Sequence, residues 1–197
     1  DVYSGEKQFR EANKAYDVAI ELLAKDNSAQ WFIYYARAVS FERLDEWDKA
    51  EADFRKALEL SPDQPSTLNY LGYSLVEKRM KLEEAQDMIE RAVAGRPNDG
   101  FITDSLGWLL YRVGKFEEAV APMEKAAELV PTDPVINDHL GDAYWQVGRR
   151  VEAGFQWHRA IDNADDEKTI AEIEAKLLGG LSASTTFVDG ESFASKV

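Results

Sequence analysis

The chain has no cysteine. Disulfides, thiolate nucleophiles and cysteine-held metals are therefore excluded, while the redox compartment stays open. Histidine occurs only at His139 and His158. Proline and glycine are few, at 6 and 12, and fall at regular places, so the chain is not a low-complexity linker. No apolar run approaches the roughly 18 residues of a membrane span. Asp1-Val2-Tyr3-Ser4 lacks a basic stretch ahead of an apolar one, so these residues are not a signal sequence. Basic residues are outnumbered 23 to 37, for a formal net charge of −14. That balance disfavours nucleic acid and anionic lipid, which need a basic surface, and favours a basic or neutral partner.

What the chain does have is a period. Ala50, Ala85, Ala119 and Ala153 recur at spacings of 35, 34 and 34, each followed seven residues later by another alanine: Ala57, Ala92, Ala126, Ala160. Gly72, Gly107 and Gly141 each follow a leucine, and Pro62, Pro97 and Pro131 recur at 35 and 34. Three independent markers sharing one period indicate stacked supersecondary units. The clearest copy is Gly100 to Asp133, with Leu106-Gly107-Trp108 in a first helix, a turn at Gly114, and Phe116, Ala119, Met123 and Ala126 in a second.

These residues resemble the tetratricopeptide repeat family, whose unit is about 34 residues of helix–turn–helix. The resemblance implies an all-α, right-handed superhelical solenoid of helix-turn-helix repeats with a C-terminal capping helix. Residues 1–26 read as a partial repeat with Phe9 at its turn and Ala12, Tyr16 and Ala19 in its second helix. Asp1 falls just after the place of a Leu-Gly pair, so the chain is expected to be a piece of a longer protein. Full repeats follow at 31–64, 65–99, 100–133 and 134–165. The third has an extra turn residue near Arg79-Met80-Lys81, and Arg37 in the second is expected to direct its charge outwards. Residues 166–178 are expected to cap the stack, with Ile170, Ile173, Leu177 and Leu178 as an apolar stripe behind an acidic N-cap. Residues 179–197 form a tail without helical period.

Catalysis has little support. His139 could meet Ser105 with Asp104 or Asp138 nearby, but a polar patch explains those residues equally well. His139 and Asp142 are three apart with no third metal ligand evident, and no cofactor is implied. The unexplained residues lie on the first helices, off the repeat signature: Phe32, Tyr35 and Val39; Asn69, Tyr70 and Tyr73; Phe101, Asp104, Trp108 and Tyr111; Asp138, His139, Asp142 and Trp145. First helices line the inner face of a stacked array. The expectation is a partner-binding groove, with Tyr73, Trp108, Tyr111 and Trp145 giving apolar contact and Asp104, Asp138 and Asp142 selecting a basic or hydrogen-bonding ligand. Tyr35 and Tyr70 are expected to be the most buried aromatics.

The reading is a protein-protein interaction module, adaptor or scaffold, that binds a protein or peptide of apolar, basic character and performs no catalysis. The alternative is self-assembly through exposed repeat ends or the tail, 182–197, docked on its own stack or on a neighbour. The lysine, asparagine and arginine clamp of the family's carboxylate-gripping grooves is absent. Leu68-Asn69-Tyr70-Leu71-Gly72-Tyr73 and Ile136-Asn137-Asp138-His139-Leu140-Gly141-Asp142 resemble the C-terminal repeats of long alphaproteobacterial members, which implies a bacterial envelope location.

Overall fold

A computed structural model describes residues 2–25 and 30–181. The docking expected of the tail, 182–197, concerns residues outside that set. Among the described residues there are ten helices and no strand: α1 (Val2–Lys25), α2 (Trp31–Arg43), α3 (Trp47–Leu60), α4 (Pro65–Glu77), α5 (Leu82–Gly95), α6 (Gly100–Arg112), α7 (Phe116–Leu129), α8 (Pro134–Gln146), α9 (Arg150–Asn163) and α10 (Glu167–Gly179). Among them no helix is long and apolar enough to cross a membrane. The chain divides into two compact units, Asp1–Leu71 and Gly72–Val197.

The alanine pairs explain how the helices pack. Ala50, Ala57, Ala85, Ala92, Ala119, Ala126, Ala153 and Ala160 are fully buried. Two alanines seven apart share one helix face, and their small side chains let a neighbouring helix approach closely. The glycine of each Leu-Gly pair completes the contact: Gly72 lies under Ile89, Gly107 under Met123 and Gly141 under Trp157. Helices α6, α8 and α10 start on side-chain caps. Asp99 accepts from the Phe101 and Ile102 amides, Asp133 from Ile136, and Asp166 from Thr169. Each satisfies donors that the first helical turn leaves unpaired.

Four hairpin turns share one construction. In α6–α7 the Gly114 amide donates to the Tyr111 carbonyl and the Lys115 amide to Leu110, with Gly114 at φ 82°. This is the Schellman arrangement, which needs a left-handed residue. Gly148 fills that place in α8–α9, but Asp45 and Arg79 fill it in α2–α3 and α4–α5, at φ 57° and 56°. The extra residue of the third repeat adds a second left-handed residue, Lys81 at φ 47°. An arginine in this region is strained where glycine is not. Arg79→Gly is therefore expected to stabilise the chain by about 0.5–1 kcal/mol, measured by urea unfolding. A lower midpoint would refute that account of the turn.

Unit one differs from expectation in three ways. The turn near Phe9 is absent: α1 runs unbroken for 24 residues. Glu6-Lys7-Gln8-Phe9-Arg10-Glu11 contains mostly strong helix formers, and none of these residues takes the left-handed conformation that ends the other first helices. Arg37 does not direct its charge to solvent. It forms a two-pronged pair with Asp53 at 2.6 and 2.8 Å and donates to Asp17 at 2.6 Å, and these hydrogen bonds raise its pKa despite burial. Tyr35 and Tyr70 are only half-buried. They pack with Phe54 at centroid distances of 5.2–6.1 Å. Burial pushes the Tyr70 hydroxyl up to about 12.

Candidate partner-binding face of the second unit

The site is built from one stripe on each first helix. Residues three, four and seven apart on a helix share a face. On α6 this stripe runs Phe101, Asp104, Trp108 and Arg112; on α8 it runs Val135, Asp138, Asp142 and Trp145. Thr169, Glu172 and Lys176 continue it on α10.

The structure brings most of the expected residues together, but mainly to tie one helix to the next. Glu77 at the end of α4 accepts the Trp108 indole N–H at 2.7 Å and Arg112 Nη1 at 2.8 Å. Asp104 Oδ2 lies 2.8 Å from His139 Nδ1, and the His139 ring stacks on Trp108 with centroids 3.9 Å apart and planes 11° apart. Lys176 Nζ donates to both oxygens of Asp138 at 2.7 Å and to both of Asp142 at 2.8 and 3.0 Å. Trp157, from the second helix behind, donates its indole N–H to Asp142 at 2.9 Å. Each link between first helices joins residues about one repeat apart.

These ties shift the titrations. Burial works against a charged His139, but the nearby Asp104 carboxylate and its hydrogen bond outweigh burial and raise the imidazole pKa. Burial raises Asp142 to about 6, helped by the charge of Asp138 and opposed by Lys176 and Trp157. Burial disfavours the Lys176 ammonium too, yet Asp142 and Asp138 overcome it and its pKa rises.

Several expected roles are therefore corrected. Tyr111 is 0% exposed and Trp108 8%, so they are packing residues rather than an open surface. Trp108 stacks on Tyr111 at 5.0 Å, and Tyr111 meets Phe116 at 5.3 Å. Asp104, Asp138 and Asp142 already hold cationic or imidazole partners from this chain. Trp145 is half-buried: the Arg150 guanidinium lies 3.6 Å from its ring centroid, Trp157 lies 5.3 Å away, and Gly180 sits against it. Tyr73 is half-buried. His139 meets Asp104 and not Ser105, whose hydroxyl donates to the Phe101 carbonyl in its own helix at 3.0 Å. The large apolar residues that remain open on the stripe are Phe101, 56% exposed, and Val135, 50%. Phe101 is among the first-helix residues expected on the inner face, whereas Val135 is not. They stand 34 apart on successive first helices, which is the signal that singles them out.

Stacked helical hairpins whose first helices share an open face define a repeat protein of the interaction-module kind. Residues 31–64 and 102–129 each match the tetratricopeptide repeat. A TPR repeat-containing protein of Pseudomonas aeruginosa is 35% identical over 83 residues, or 42% of this chain. The match spans only 14% of that relative's length. A thermophilic TPR protein of Thermus thermophilus superposes over 90% of this chain and all of its own, with a TM-score of 0.67 and 20% identity. YrrB, a TPR protein with an unusual peptide-binding site, matches 87% of this chain and 86% of its own at 24% identity and a TM-score of 0.61. The pilF protein of Pseudomonas aeruginosa matches 89% of this chain and 95% of its own at 20% identity and a TM-score of 0.63. These structural likenesses establish the fold: all-α, of the tetratricopeptide solenoid class.

Proposed function

We propose that the chain is a protein-binding scaffold whose second unit docks an apolar segment of a protein partner on the face carrying Phe101 and Val135. The supporting observation is the exposure of these two residues on a stripe whose acidic groups are already paired. Exposed aromatic and branched side chains supply contact area at low entropic cost. Asp104, Asp138 and Asp142 then act as ties, and Tyr73 and Trp145 flank the contact. Binding, rather than catalysis, fits the commitment of Ser105 to its own helix and of His139 to Asp104. The peptide-binding site of the similar YrrB supports a peptide-like ligand.

The test is selection of peptides from a random displayed library against the whole chain, followed by titration calorimetry. Enrichment of apolar sequences is expected. Phe101→Ser with Val135→Ser, both at open positions, is expected to weaken the selected peptides at least tenfold, as expected for truncating interface anchors. Unchanged affinity in that variant, with helix content retained, would sink the proposal.

A further inference from the structure

The outer face of α9 departs from the pattern of the other second helices. On each of them two positions, one turn apart, are open to solvent. They hold Asp48 and Ala52 on α3, Glu83 and Asp87 on α5, and Glu117 and Ala121 on α7. On α9 they hold Val151 and Phe155, 69% and 66% exposed. Residues four apart share one helix face, so the two form one apolar patch. Gly154 lies beside them inside the helix. A Cβ there would meet nothing within 4 Å among the described residues, whereas Gly72, Gly107 and Gly141 each lie under a side chain. A glycine inside a helix costs stability relative to alanine, and no close packing within the chain accounts for this one. It leaves room for another molecule to approach the backbone.

The charges around the patch run against the helix. Helices α5 and α7 open on Glu83-Glu84 and Glu117-Glu118, the order that the helix dipole favours. Helix α9 opens on Arg149 and Arg150 and carries Asp162 in its last turn, the order that the dipole disfavours. Between them stand Glu152, His158 and Arg159. Arg149 is held by Glu124 and Glu152 of its own chain. Arg150 and Arg159 have no carboxylate partner among the described residues: Arg150 stacks on Trp145, and Arg159 donates to the Pro131 carbonyl at 2.9 Å. A stacked guanidinium can still donate from its edge. Asp162 is exposed and likewise unpaired among the described residues. Turned about a two-fold axis beside Phe155 and Gln156, this face is its own complement. An antiparallel copy sets Arg150 opposite Asp162 and Arg159 opposite Glu152. The two Phe155 rings meet near the axis, and His158 comes over the bare Gly154 of the other copy.

We propose that two copies of this chain associate through α9, antiparallel about a two-fold axis beside Phe155. Such a contact uses the same patch on both copies and closes on itself as a dimer. It lies on a different helix from Phe101 and Val135, so self-association stands or falls independently of partner docking. A contact confined to one 14-residue helix is small, and a dissociation constant on the order of 10–100 µM is expected. Sedimentation equilibrium of the intact chain from about 1 to about 500 µM spans that constant. The mass is expected to rise from 22.2 kDa to twice that value across the range. Phe155→Glu, at an open position, is expected to weaken the dimer at least about tenfold with helix content unchanged. Arg159→Glu alone sets acid against acid, and Glu152→Arg alone sets base against base, so each is expected to stay monomeric where the unaltered chain is dimeric. An equimolar mixture of these two variants is expected to recover the dimer, because each copy then supplies the charge that the other lacks. A chain that stays monomeric throughout the range overturns the proposal. So does a dimer indifferent to Phe155→Glu, which forms through another surface, and so does a mixture of the two charge variants that stays monomeric.

Discussion

Lys176→Ala is expected to destabilise the second unit by about 3–5 kcal/mol, the cost of removing one partner from a buried ion pair. One ammonium faces two carboxylates here, so its loss leaves Asp138 and the nearly enclosed Asp142 repelling one another. Lys176→Met, which keeps the packing of the stem, should fare little better, because the uncompensated charge dominates. The pH dependence distinguishes this from a packing defect. Asp142 in the folded chain titrates near 6, above its ordinary 3.8. Between those values the folded state binds more protons than the unfolded state, so stability falls as pH rises. Without Lys176 the Asp142 pKa rises further, and acidification from pH 7 towards 5 should restore part of the lost stability. His139 acts in the same direction: its contribution is present below the ordinary 6.5 and is lost as pH rises through its elevated folded value. Urea unfolding at several pH values separates the two, since His139→Gln removes only the second effect. A Lys176→Ala midpoint indifferent to pH would contradict the ion-triad account.

The second large effect concerns Gly141→Ala, for which a loss of about 2–3 kcal/mol is expected from overpacking. A methyl group there would overlap the Trp157 ring. That ring cannot turn aside easily, because its N–H is bonded to Asp142 at 2.9 Å and Trp145 lies 5.3 Å away. Gly107 provides the comparison. Its added methyl would meet the side chain of Met123, which is unbranched and adaptable, and the backbone of Ala119 and Met123 at a tight 3.3 Å. Gly107→Ala should therefore cost less than Gly141→Ala, about 1–2 kcal/mol. In a Trp157→Met background, Gly141→Ala should become similarly mild. Equal losses at Gly107 and Gly141, or additive losses in the double variant, would show that the ring does not set the glycine requirement.

The helical repeat is legible in the sequence because stacking needs particular residues at particular places. Gly141, Ala119 and Ala126 cannot be enlarged without disturbing the helix that packs on them, so residues of this size recur at the repeat period. Asp99, Asp133 and Asp166 are equally local signals. The candidate site is less legible, because its ties run between helices one repeat apart. Asp104 to His139 is 35 residues, Glu77 to Arg112 is 35, and Asp142 to Lys176 is 34. Read separately, the three acids suggest an open acidic groove. Paired one period onward with their cationic or imidazole counterparts, they indicate rungs between first helices. Tyr111 misleads for a similar reason: its helix position suggests the open stripe, whereas contact with Phe116 from the following helix buries it. Phe101 is legible as an inner-face aromatic, but Val135 is hard to single out because one exposed apolar residue carries no signal. Their significance lies in the recurrence.

The first-helix carboxylates are internal ties, and in the proposed function a partner is read by exposed apolar side chains. The most direct test is the affinity of a library-selected peptide for the intact chain at about 0.05 M and 0.5 M salt, where screening of exposed charge differs severalfold. A change of less than about threefold is expected, as apolar contact is not screened, together with loss of binding in Phe101→Ser, Val135→Ser. A steep loss of affinity with salt, retained in that double variant, would show that free carboxylates select the ligand and would contradict it.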